Sequence, residues 1–263
     1  MRIQGSTILL TGVTGGIGQA LAAALAARGA QLVLTGRRPD ALAACAGPLG
    51  ARTIVADLAD PADVTRLAEE SSGCDILIAN AALPSSGELL SYTPEQVDRA
   101  LAVNLRAPVM LARLLAPAMV KTGAGHIALV GSISGKAASP MTSLYSATKF
   151  GLRGFALSLR QDLRGSGVGV SLIQPGFVRD AGMFAATGAT PPSGIRTVSP
   201  HQVAQGTVRA VERNLGEVNI APAELKILSA IAGQFPALAE KVQSRAAIHR
   251  FARQLSGAQE TSR

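Results

Sequence analysis

The sequence predicts an α/β protein built on one doubly wound parallel sheet of about seven strands, with a helical extension at its C-terminus. Short apolar runs alternate with segments of helical periodicity over residues 6–221, which is typical of parallel strands joined by crossover helices. A glycine-rich turn joins the first run to the first helical segment. The chain has 263 residues, 48% of them hydrophobic, which suits one such unit with a large core.

The first strand and the first helix enclose a predicted phosphate-binding turn. Residues 6–11 form the strand, and helical periodicity extends from Ile17 to Arg28, with Gly29 expected as the C-cap. Glycines between them permit a tight turn and let a pyrophosphate approach the free N–H groups of the helix N-terminus. We therefore expect this turn to bind a dinucleotide through Gly12, Thr14, Gly16, Ile17 and Gly18.

The second predicted strand indicates which dinucleotide is bound. Residues 31–35 form this strand, and Gly36-Arg37-Arg38 follow it. Sites that hold a ribose 2′-hydroxyl use an acidic residue at about this position, whereas a 2′-phosphate needs a cation. Gly36 offers no carboxylate and the Arg37 guanidinium matches a phosphate, so NADP(H) is favoured over NAD(H). Arg38 is equally well explained as a solvated loop residue.

Two further predicted strands end in small or polar residues. Both runs, residues 53–56 and 75–79, read as buried parallel strands. Ligands of open α/β sheets bind outside the carboxyl ends of the strands. We therefore expect the edge of a cofactor to lie against the residues that follow these strands, namely Asp57, Leu58, Asn80 and Ala81.

A long helix is predicted over residues 94–120, with a kink at Pro108. Asn104 lies one turn before this proline, where a polar side chain is also explained as an ordinary partner for backbone groups freed by the kink. A fifth strand over residues 125–130 then leads into Ser132.

The next predicted helix, residues 143–165, carries a tyrosine and a lysine on one face. Tyr145 and Lys149 are four residues apart, so their side chains are stacked one turn apart. A cation about 4 to 5 Å from the phenol, at an effective dielectric constant near 20, favours the phenolate by roughly 3 to 4 kcal/mol. Such a phenol serves as an acid and base near neutral pH. An ordinary surface tyrosine and lysine would show the same spacing.

The remaining segments complete the alternation without a domain boundary. A strand over residues 168–173 leads into Pro175-Gly176-Phe177-Val178, and residues 181–199 have the composition of a mobile loop. A helix over 200–213 and a strand over 217–221 end the repeat. We therefore predict a dinucleotide-binding catalytic domain over residues 1–222, extended by amphipathic helices over residues 223–263.

The C-terminal extension is predicted from two amphipathic segments. Residues 241–263 hold five basic residues against one acidic residue. Such a tail covers its own domain or a partner subunit, and a basic amphipathic helix also suits an anionic membrane surface, which makes peripheral membrane contact a second possibility. The apolar positions are Leu228, Ile231, Ala232 and Phe235 in the first segment, and Ile248, Phe251, Ala252 and Leu255 in the second.

Composition argues against several other functions. The net charge is +8, but the arginines are scattered and aromatic residues make up only 3% of the chain, so we expect no nucleic-acid binding. Cys45 and Cys74 lack the spacing of a metal site or a disulfide framework, so we expect no metal and a reducing, cytoplasmic location. No apolar run reaches about 18 residues and glycines interrupt the N-terminal segment, so we expect neither a signal sequence nor a membrane span.

Taken together, these motifs resemble those of the short-chain dehydrogenase/reductase family, in its form of about 250 residues. The resemblance extends over roughly residues 5–221 and includes a spacing of 13 residues from Ser132 to Tyr145. The matching motifs are Thr11-Gly12-x3-Gly16-Ile17-Gly18, Asp57-Leu58, Asn80-Ala81-Ala82 and Pro175-Gly176-Phe177-Val178.

The resemblance implies a Rossmann-type fold and a catalytic tetrad of Asn104, Ser132, Tyr145 and Lys149. Tyr145 would exchange a proton with the substrate oxygen, and Ser132 would donate a hydrogen bond to that oxygen. Lys149 would lower the phenol pKa and hold the nicotinamide ribose, while Asn104 would anchor a water that links Lys149 to solvent. Beside the nicotinamide the resemblance places Pro175, Gly176 and Val178.

The implied activity is an NADP(H)-dependent oxidoreductase that interconverts a secondary alcohol and a ketone. The implied partners are a small carbonyl or alcohol substrate and other copies of the chain, as a homodimer or homotetramer formed through the helices at 94–120 and 143–165. A cofactor-binding sensor or assembly protein with little catalysis is the alternative. An apolar substrate pocket is suggested, although a packed loop would look the same, by Leu83, Leu89, Met141, Met183 and Phe184.

The sequence departs from the family pattern at two places. Ala79 and Ala82 replace the Asn and Gly that often flank Asn80-Ala81, a change that affects packing more than chemistry. Asp180 stands where a threonine usually contacts the nicotinamide carboxamide. A carboxylate accepts hydrogen bonds but cannot donate one unless it is protonated, so we expect cofactor contacts to differ here.

Overall fold

The computed structural model describes residues 1–185 and 195–243. Strands and helices alternate along these residues, as the apolar runs predict. The strands are β1 (Thr7–Thr11), β2 (Gln31–Gly36), β3 (Arg52–Val55), β4 (Ile76–Ala79), β5 (Gly125–Val130), β6 (Val168–Pro175) and β7 (Glu217–Ile220).

Helices flank the sheet and follow each strand. A π-helical turn, Ala102–Arg106, separates two of them. The helices are α1 (Gly16–Ala26), α2 (Pro39–Ala46), α3 (Pro61–Glu70), α4 (Pro94–Leu101), α5 (Ala107–Thr122), α6 (Ser143–Asp162), α7 (Gly182–Ala185), α8 (Pro200–Glu212), α9 (Ala223–Gln234) and α10 (Pro236–Gln243). Short 3-10 turns cover Gly47–Leu49, Leu89–Ser91 and Ile133–Gly135.

The seven strands form one parallel sheet in the order β3-β2-β1-β4-β5-β6-β7. The predicted doubly wound parallel sheet is therefore confirmed. The winding direction reverses between β1 and β4, and ligands of such sheets bind at the carboxyl edge beside this point. The ends of β1 and β4 thus mark the expected site.

Two hydrophobic cores lie on opposite faces of the sheet. Successive side chains of β1 alternate between them, so Ile8 and Leu10 enter one core and Leu9 enters the other. Helices α1 and α8 cover the first face, and α3, α5 and α6 cover the second. Because both faces are covered, β4 and β5 are buried at every residue, which explains their continuous apolar runs.

Two predicted helices differ from the structure in detail. Helix α1 ends at Ala26 with Ala27 as its C-cap, so the prediction of Gly29 as C-cap is wrong. Gly29 instead adopts φ +76° in the turn that follows. The predicted helix over residues 94–120 runs continuously as Pro94–Thr122, and Ala102–Arg106 in its middle is a π-helical turn that ends just before Pro108. Proline has no N–H to donate inside a helix, and the π-helical turn changes the hydrogen-bond spacing directly before it.

Among the described residues, one stretch, Pro94–Thr122, is long and apolar enough to cross a membrane by length and composition alone. Half of the most apolar 18-residue segment of this stretch is buried within the protein. Leu111 and Leu115 of α5 belong to the hydrophobic core against the sheet. The stretch therefore packs as a core helix.

The first amphipathic segment of the C-terminal extension forms α9, but its apolar stripe faces outward. Leu228, Ile231 and Phe235 are 52%, 45% and 61% exposed. The inner face has small residues instead, with Ser229 buried and Gly233 close to the carbonyl of Lys136. The second segment, at residues 248–255, lies outside the described residues, as do residues 186–194 of the predicted loop.

Candidate active site

The glycine-rich turn has the shape that the sequence predicts. Gly12 adopts φ +70°, and a β-carbon on it would lie 2.7 Å from Cα of Ala81. A β-carbon on Gly18 would collide with the carbonyl oxygen of Gly12. Only glycine fits these two positions, because the first needs a left-handed backbone and the second needs close contact between helix and turn.

The N-terminus of α1 is open to an anion. Gly15 is the N-cap and no side chain caps this end, and the first turn contains no acidic residue. The first N–H groups of a helix lack intrahelical partners, and the helix dipole adds partial positive charge there. The turn therefore offers the unpaired N–H groups that a pyrophosphate would need.

Thr11 and Asn80 fasten the turn to the end of β4. The Thr11 hydroxyl accepts hydrogen bonds from the backbone N–H groups of Asn80 and Ala81, each 3.0 Å long. The Asn80 side-chain amide donates to the carbonyls of Thr11 and Gly12 at 3.0 and 3.1 Å. These four hydrogen bonds join the ends of β1 and β4, between which the winding direction reverses. They fix the glycine-rich turn relative to the end of β4.

The other end of the predicted cofactor groove lies beside β2 and β3. Gly36 faces the methyl group of Thr14, since a β-carbon on Gly36 would lie 3.5 Å from it. Arg37 is exposed and close enough to Asp57 to help lower the pKa of that carboxyl. The structure therefore brings Thr14, Arg37 and Asp57 to one end of the groove, although the Leu58 side chain turns into the core.

A cavity of about 110 Å³ lies at the carboxyl edge, between the glycine turn and α6. Apolar and polar groups share its wall. It is lined by Ile17, Asn80, Ala82, Val130, Gly131, Ser132, Tyr145, Lys149, Pro175, Gly176, Val178, Gly182, Met183 and Phe184.

Three of the four predicted catalytic residues meet at this cavity. Ser132 follows β5, and its hydroxyl is hydrogen-bonded to the Tyr145 phenol of α6. Lys149 is 3% exposed, and its ammonium lies 5.6 Å from the centroid of the Tyr145 ring. It also donates a 3.2 Å hydrogen bond to the carbonyl of Val130. The i, i+4 pair predicted from the sequence is therefore present, with the cation over the ring.

The pKa values differ from the sequence-based expectation. Burial raises the pKa of Tyr145 above its ordinary value, and the hydrogen bond from Ser132 only partly opposes this. Burial lowers the pKa of Lys149 to about 8, so the side chain is mainly charged at neutral pH. The expected lowering of the phenol pKa is therefore wrong for this structure, where burial is the largest cause and raises the pKa. Tyr145 is consequently a protonated phenol at neutral pH.

Asn104 lies in the π-helical turn and holds the loop that follows β4. Its side-chain oxygen accepts from the N–H of Leu83 at 2.6 Å, and its amide donates to the carbonyl of Leu83 at 3.0 Å and to the hydroxyl of Ser85 at 3.3 Å. The amide nitrogen has thus used both of its hydrogens. The resemblance implies that Asn104 anchors a water. That water would have to bind the one remaining lone pair of the side-chain oxygen or a backbone group of Asn104.

The segment after β6 covers the phosphate-binding turn. A β-carbon on Gly16 would collide with the methyl group of Ala181, and Gly182 lies against Ile17. Phe184 packs on Phe177 with ring centroids 4.9 Å apart. Asp180 adopts φ +67°, is paired with Arg179 at 3.3 Å and is absent from the cavity wall.

The structure therefore gathers most of the predicted site. Met183 and Phe184 line the cavity as expected, whereas Leu83, Leu89 and Met141 are absent from its wall, so the predicted apolar pocket is only partly right. Two contacts were not predicted from the sequence. One is the pair of hydrogen bonds that the Thr11 hydroxyl accepts from Asn80 and Ala81, and the other is the contact of Arg99 with Asp57. No short motif marks these contacts, since the partners lie 70 and 42 residues apart.

Within residues 1–185 and 195–243, no group of three or more histidine, cysteine, aspartate or glutamate side chains is placed to hold a metal ion. The residues present suit a dinucleotide instead. The uncapped helix, the space above the glycines and Arg37 provide the anion-binding groups that such a cofactor needs.

Known proteins are similar to this chain in sequence. Residues 6–192 match the family described as short chain dehydrogenase. The ketoacyl reductase HetN of Nostoc sp. is 32% identical over 225 residues, which cover 82% of this chain and 78% of that protein. Dehydrogenase/reductase SDR family member 7B of Bos taurus is 30% identical over 244 residues, covering 83% of this chain and 74% of that protein.

Solved structures agree with the sequence comparison. A short-chain dehydrogenase from Sphingobium yanoikuyae in complex with NADPH superimposes with a TM-score of 0.77 at 28% identity. The match covers 93% of this chain and 99% of that chain. The similarity thus extends over nearly the whole of both molecules.

Proposed function

The chain belongs to the short-chain dehydrogenase family, and from its site we propose that it is an NADP(H)-dependent oxidoreductase that interconverts a secondary alcohol and a ketone. The observation that carries the proposal is the meeting of Ser132, Tyr145 and Lys149 at a cavity next to an open phosphate-binding turn. A phenol, a hydroxyl and an ammonium group at one point suit proton exchange with a carbonyl oxygen.

In this proposal, Tyr145 is the general acid and base. The bound nicotinamide supplies or accepts the hydride. Because the pKa of Tyr145 is raised by burial, its phenol holds a proton at neutral pH and can donate it to the oxygen of a ketone. Ser132 donates a hydrogen bond to the same oxygen as negative charge develops on it. The Lys149 ammonium stabilises the phenolate that remains.

We assign the cofactor preference to Arg37. This exposed guanidinium stands at the end of β2, where Gly36 offers no carboxylate to a ribose 2′-hydroxyl. The NADPH complex of the Sphingobium yanoikuyae relative supports the choice. Arg37→Ala should weaken NADPH binding much more than NADH binding, whereas an equal effect on both would exclude the assignment.

The substrate is proposed to be a ketone with an apolar body. Val178, Met183 and Phe184 line the cavity with apolar surface beside the polar catalytic groups that also line it. The name of the Nostoc relative, a ketoacyl reductase, supports a ketone in the reductive direction. NADPH oxidation by the purified protein should be measured against a panel of ketones that differ in size and polarity. Turnover confined to charged, polar ketones would contradict this choice.

We also propose that the protein assembles through α5 and α6. Leu114 and Val120 on α5 and Phe150 on α6 are large apolar side chains that are 36%, 41% and 42% exposed. Burial of such groups against a second copy is favourable. Light scattering after size-exclusion chromatography should give a dimer or tetramer, and Phe150→Glu should shift it toward the monomer.

A peripheral membrane contact is proposed for the outer face of α9 and α10. Ile227, Leu228, Ile231, Phe235 and Leu238 are between 45% and 61% exposed, and the residues that follow, 244–263, contain four arginines and one glutamate. An apolar face that is followed in the sequence by basic residues suits an anionic bilayer better than a second, equally basic tail. The cytoplasmic location and the boundary at residue 222 stay predictions.

Vesicle flotation tests the membrane contact. The full-length protein should float with phosphatidylglycerol vesicles and not with phosphatidylcholine vesicles. Replacing Leu228, Ile231 and Phe235 by serine should abolish flotation, while Leu90→Ser, at a side chain 98% exposed in the turn Leu89–Ser91, should leave it unchanged. Loss of a dimer in the serine variant without any flotation of the native chain would assign this face to a second copy instead.

A further inference from the structure

Arg99 of α4 forms a two-pronged contact with Asp57, the residue that follows β3 by two positions. Its Nη2 donates to Oδ2 at 2.8 Å and to Oδ1 at 3.2 Å. Each side chain keeps 36% of its surface exposed. The contact therefore lies at the surface of the groove, where a ligand can reach it.

The hydrogen bonds to Asp57 leave it with little free acceptor capacity. Oδ1 also accepts from the N–H of Ala59 at 3.0 Å. A carboxylate has about four lone-pair sites. With two bonds to Oδ1 and one to Oδ2, roughly one site on Oδ2 is left for a ligand.

The carboxylate is held in its charged form. Burial acts to raise its pKa, but the hydrogen bond from Arg99, the N–H of Ala59 and the charges of Arg99 and Arg37 together keep the pKa below its ordinary value. A charged carboxylate is an acceptor only and cannot donate. It thus discriminates between an N–H and a carbonyl oxygen in a ligand.

Asp57 is also in the right place for the base of the cofactor. The strand before it pairs with β2, and the N–H of Ala56 donates to the carbonyl of Gly36 at 3.2 Å. Arg37, which we assign to the 2′-phosphate, is therefore a close neighbour of Asp57. A base joined to that ribose would lie within reach of the carboxylate.

We propose that Arg99 is a positioning residue for cofactor recognition: it orients Asp57 so that one remaining acceptor takes the exocyclic N–H of adenine. This inference rests on the proposed use of NADP(H). A base with a carbonyl at the same position, such as hypoxanthine, would place an oxygen against the carboxylate and be disfavoured. Arg99 thus sets base selectivity without touching the cofactor.

The test compares two cofactors on the full-length protein. Dissociation constants for NADPH and for its deamino form, which carries hypoxanthine, are measured by fluorescence titration. A hydrogen bond to a charged group is worth enough to favour NADPH by about tenfold in the native protein. Arg99→Gln should reduce this preference to about threefold or less, and Asp57→Asn should abolish or reverse it, because an amide can donate to the hypoxanthine oxygen.

Two controls separate this inference from other effects. Arg113→Gln, at an exposed arginine of α5, should keep the native ratio. Arg99→Lys retains a charged donor on a shorter and more flexible side chain, so it should give an intermediate ratio. This variant provides the test if Arg99→Gln does not fold. A native protein that binds neither cofactor would contradict the proposed function. A native protein that binds both equally would overturn the contact between Asp57 and the base. An Arg99 variant that keeps the full preference would overturn the role of Arg99, and neither result would contradict the proposed function.

Discussion

The ammonium of Lys149 lies over the ring of Tyr145, 5.6 Å from its centroid, and donates a hydrogen bond to the carbonyl of Val130. The cation is therefore fixed by the end of β5 as well as by its own helix. Because both side chains are withdrawn from water, burial raises the pKa of the phenol and lowers that of the ammonium. Tyr145 is therefore a protonated phenol at neutral pH.

A first prediction concerns the pH dependence of the two directions. Reduction needs the protonated phenol, so its rate should not increase between pH 6 and about pH 9. Oxidation needs the phenolate, and because the pKa of Tyr145 is raised above its ordinary value, the oxidation rate should still be rising at about pH 9. Steady-state rates in both directions across this range provide the measurement. A plateau of oxidation by pH 7 would mean that the phenol pKa is lowered instead.

A second prediction uses the crowded space above Gly16. A methyl group there would collide with the side chain of Ala181, in the segment that covers the phosphate-binding turn. Gly16→Ala should therefore weaken NADPH binding by about tenfold or more. Gly47→Ala is the matched control, because a β-carbon on Gly47 meets nothing within 4 Å. Equal affinities of the two variants for NADPH would show that the turn does not hold the cofactor.

A third prediction concerns acid stability. His126 is buried and contacts the Ser171 hydroxyl at 2.9 Å, and burial lowers its pKa to about 3. Between about pH 6.5 and 3 the unfolded chain binds a proton that the folded protein does not, so stability decreases as the pH falls through this range. The loss attributable to this group is about 4 to 5 kcal/mol.

Denaturant unfolding of the native protein and of His126→Gln at several pH values measures this effect. The variant is less stable at pH 7, because it loses a packed side chain. Its unfolding free energy should nevertheless fall less steeply between pH 6.5 and 4 than that of the native protein. Parallel slopes would exclude His126 as the group responsible.

A fourth prediction concerns the two free thiols. Burial raises the pKa of Cys74 to about 12, whereas Cys45 is partly exposed. Since the thiolate is the reactive form, a thiol reagent at pH 8 should label only Cys45 in the folded protein. Both cysteines should react in denaturant. Rapid labelling of Cys74 in the native protein would contradict its burial in the structure.

The sequence predicts those parts of the site that depend on local spacing. Gly12 and Gly18 mark a turn, and Tyr145 and Lys149 share a helix face, because a few consecutive residues determine each feature. The order of the strands is harder, yet the alternation of strands and helices together with the handedness of crossovers leaves few alternatives. These local rules were sufficient to predict most of the fold.

Other parts could not be predicted because they join distant segments. Arg99 and Asp57 are 42 residues apart, and neither segment contains a motif that indicates the contact. The π-helical turn at Asn104 keeps the apolar pattern of an ordinary helix, so periodicity does not reveal it. Amphipathic spacing identified α9 but gave no indication that Leu228 and Phe235 would face outward. The phenol pKa was misjudged because burial is a property of the folded chain.

The central claim, that Tyr145 exchanges the substrate proton, is tested most directly by Tyr145→Phe. With a ketone that the native protein reduces, the variant should lose about a thousandfold or more in kcat/KM for NADPH-dependent reduction. NADPH binding, followed by fluorescence titration, should change by less than about threefold, because the ring stays in place. A variant that binds NADPH normally and reduces the ketone at the native rate would contradict the account.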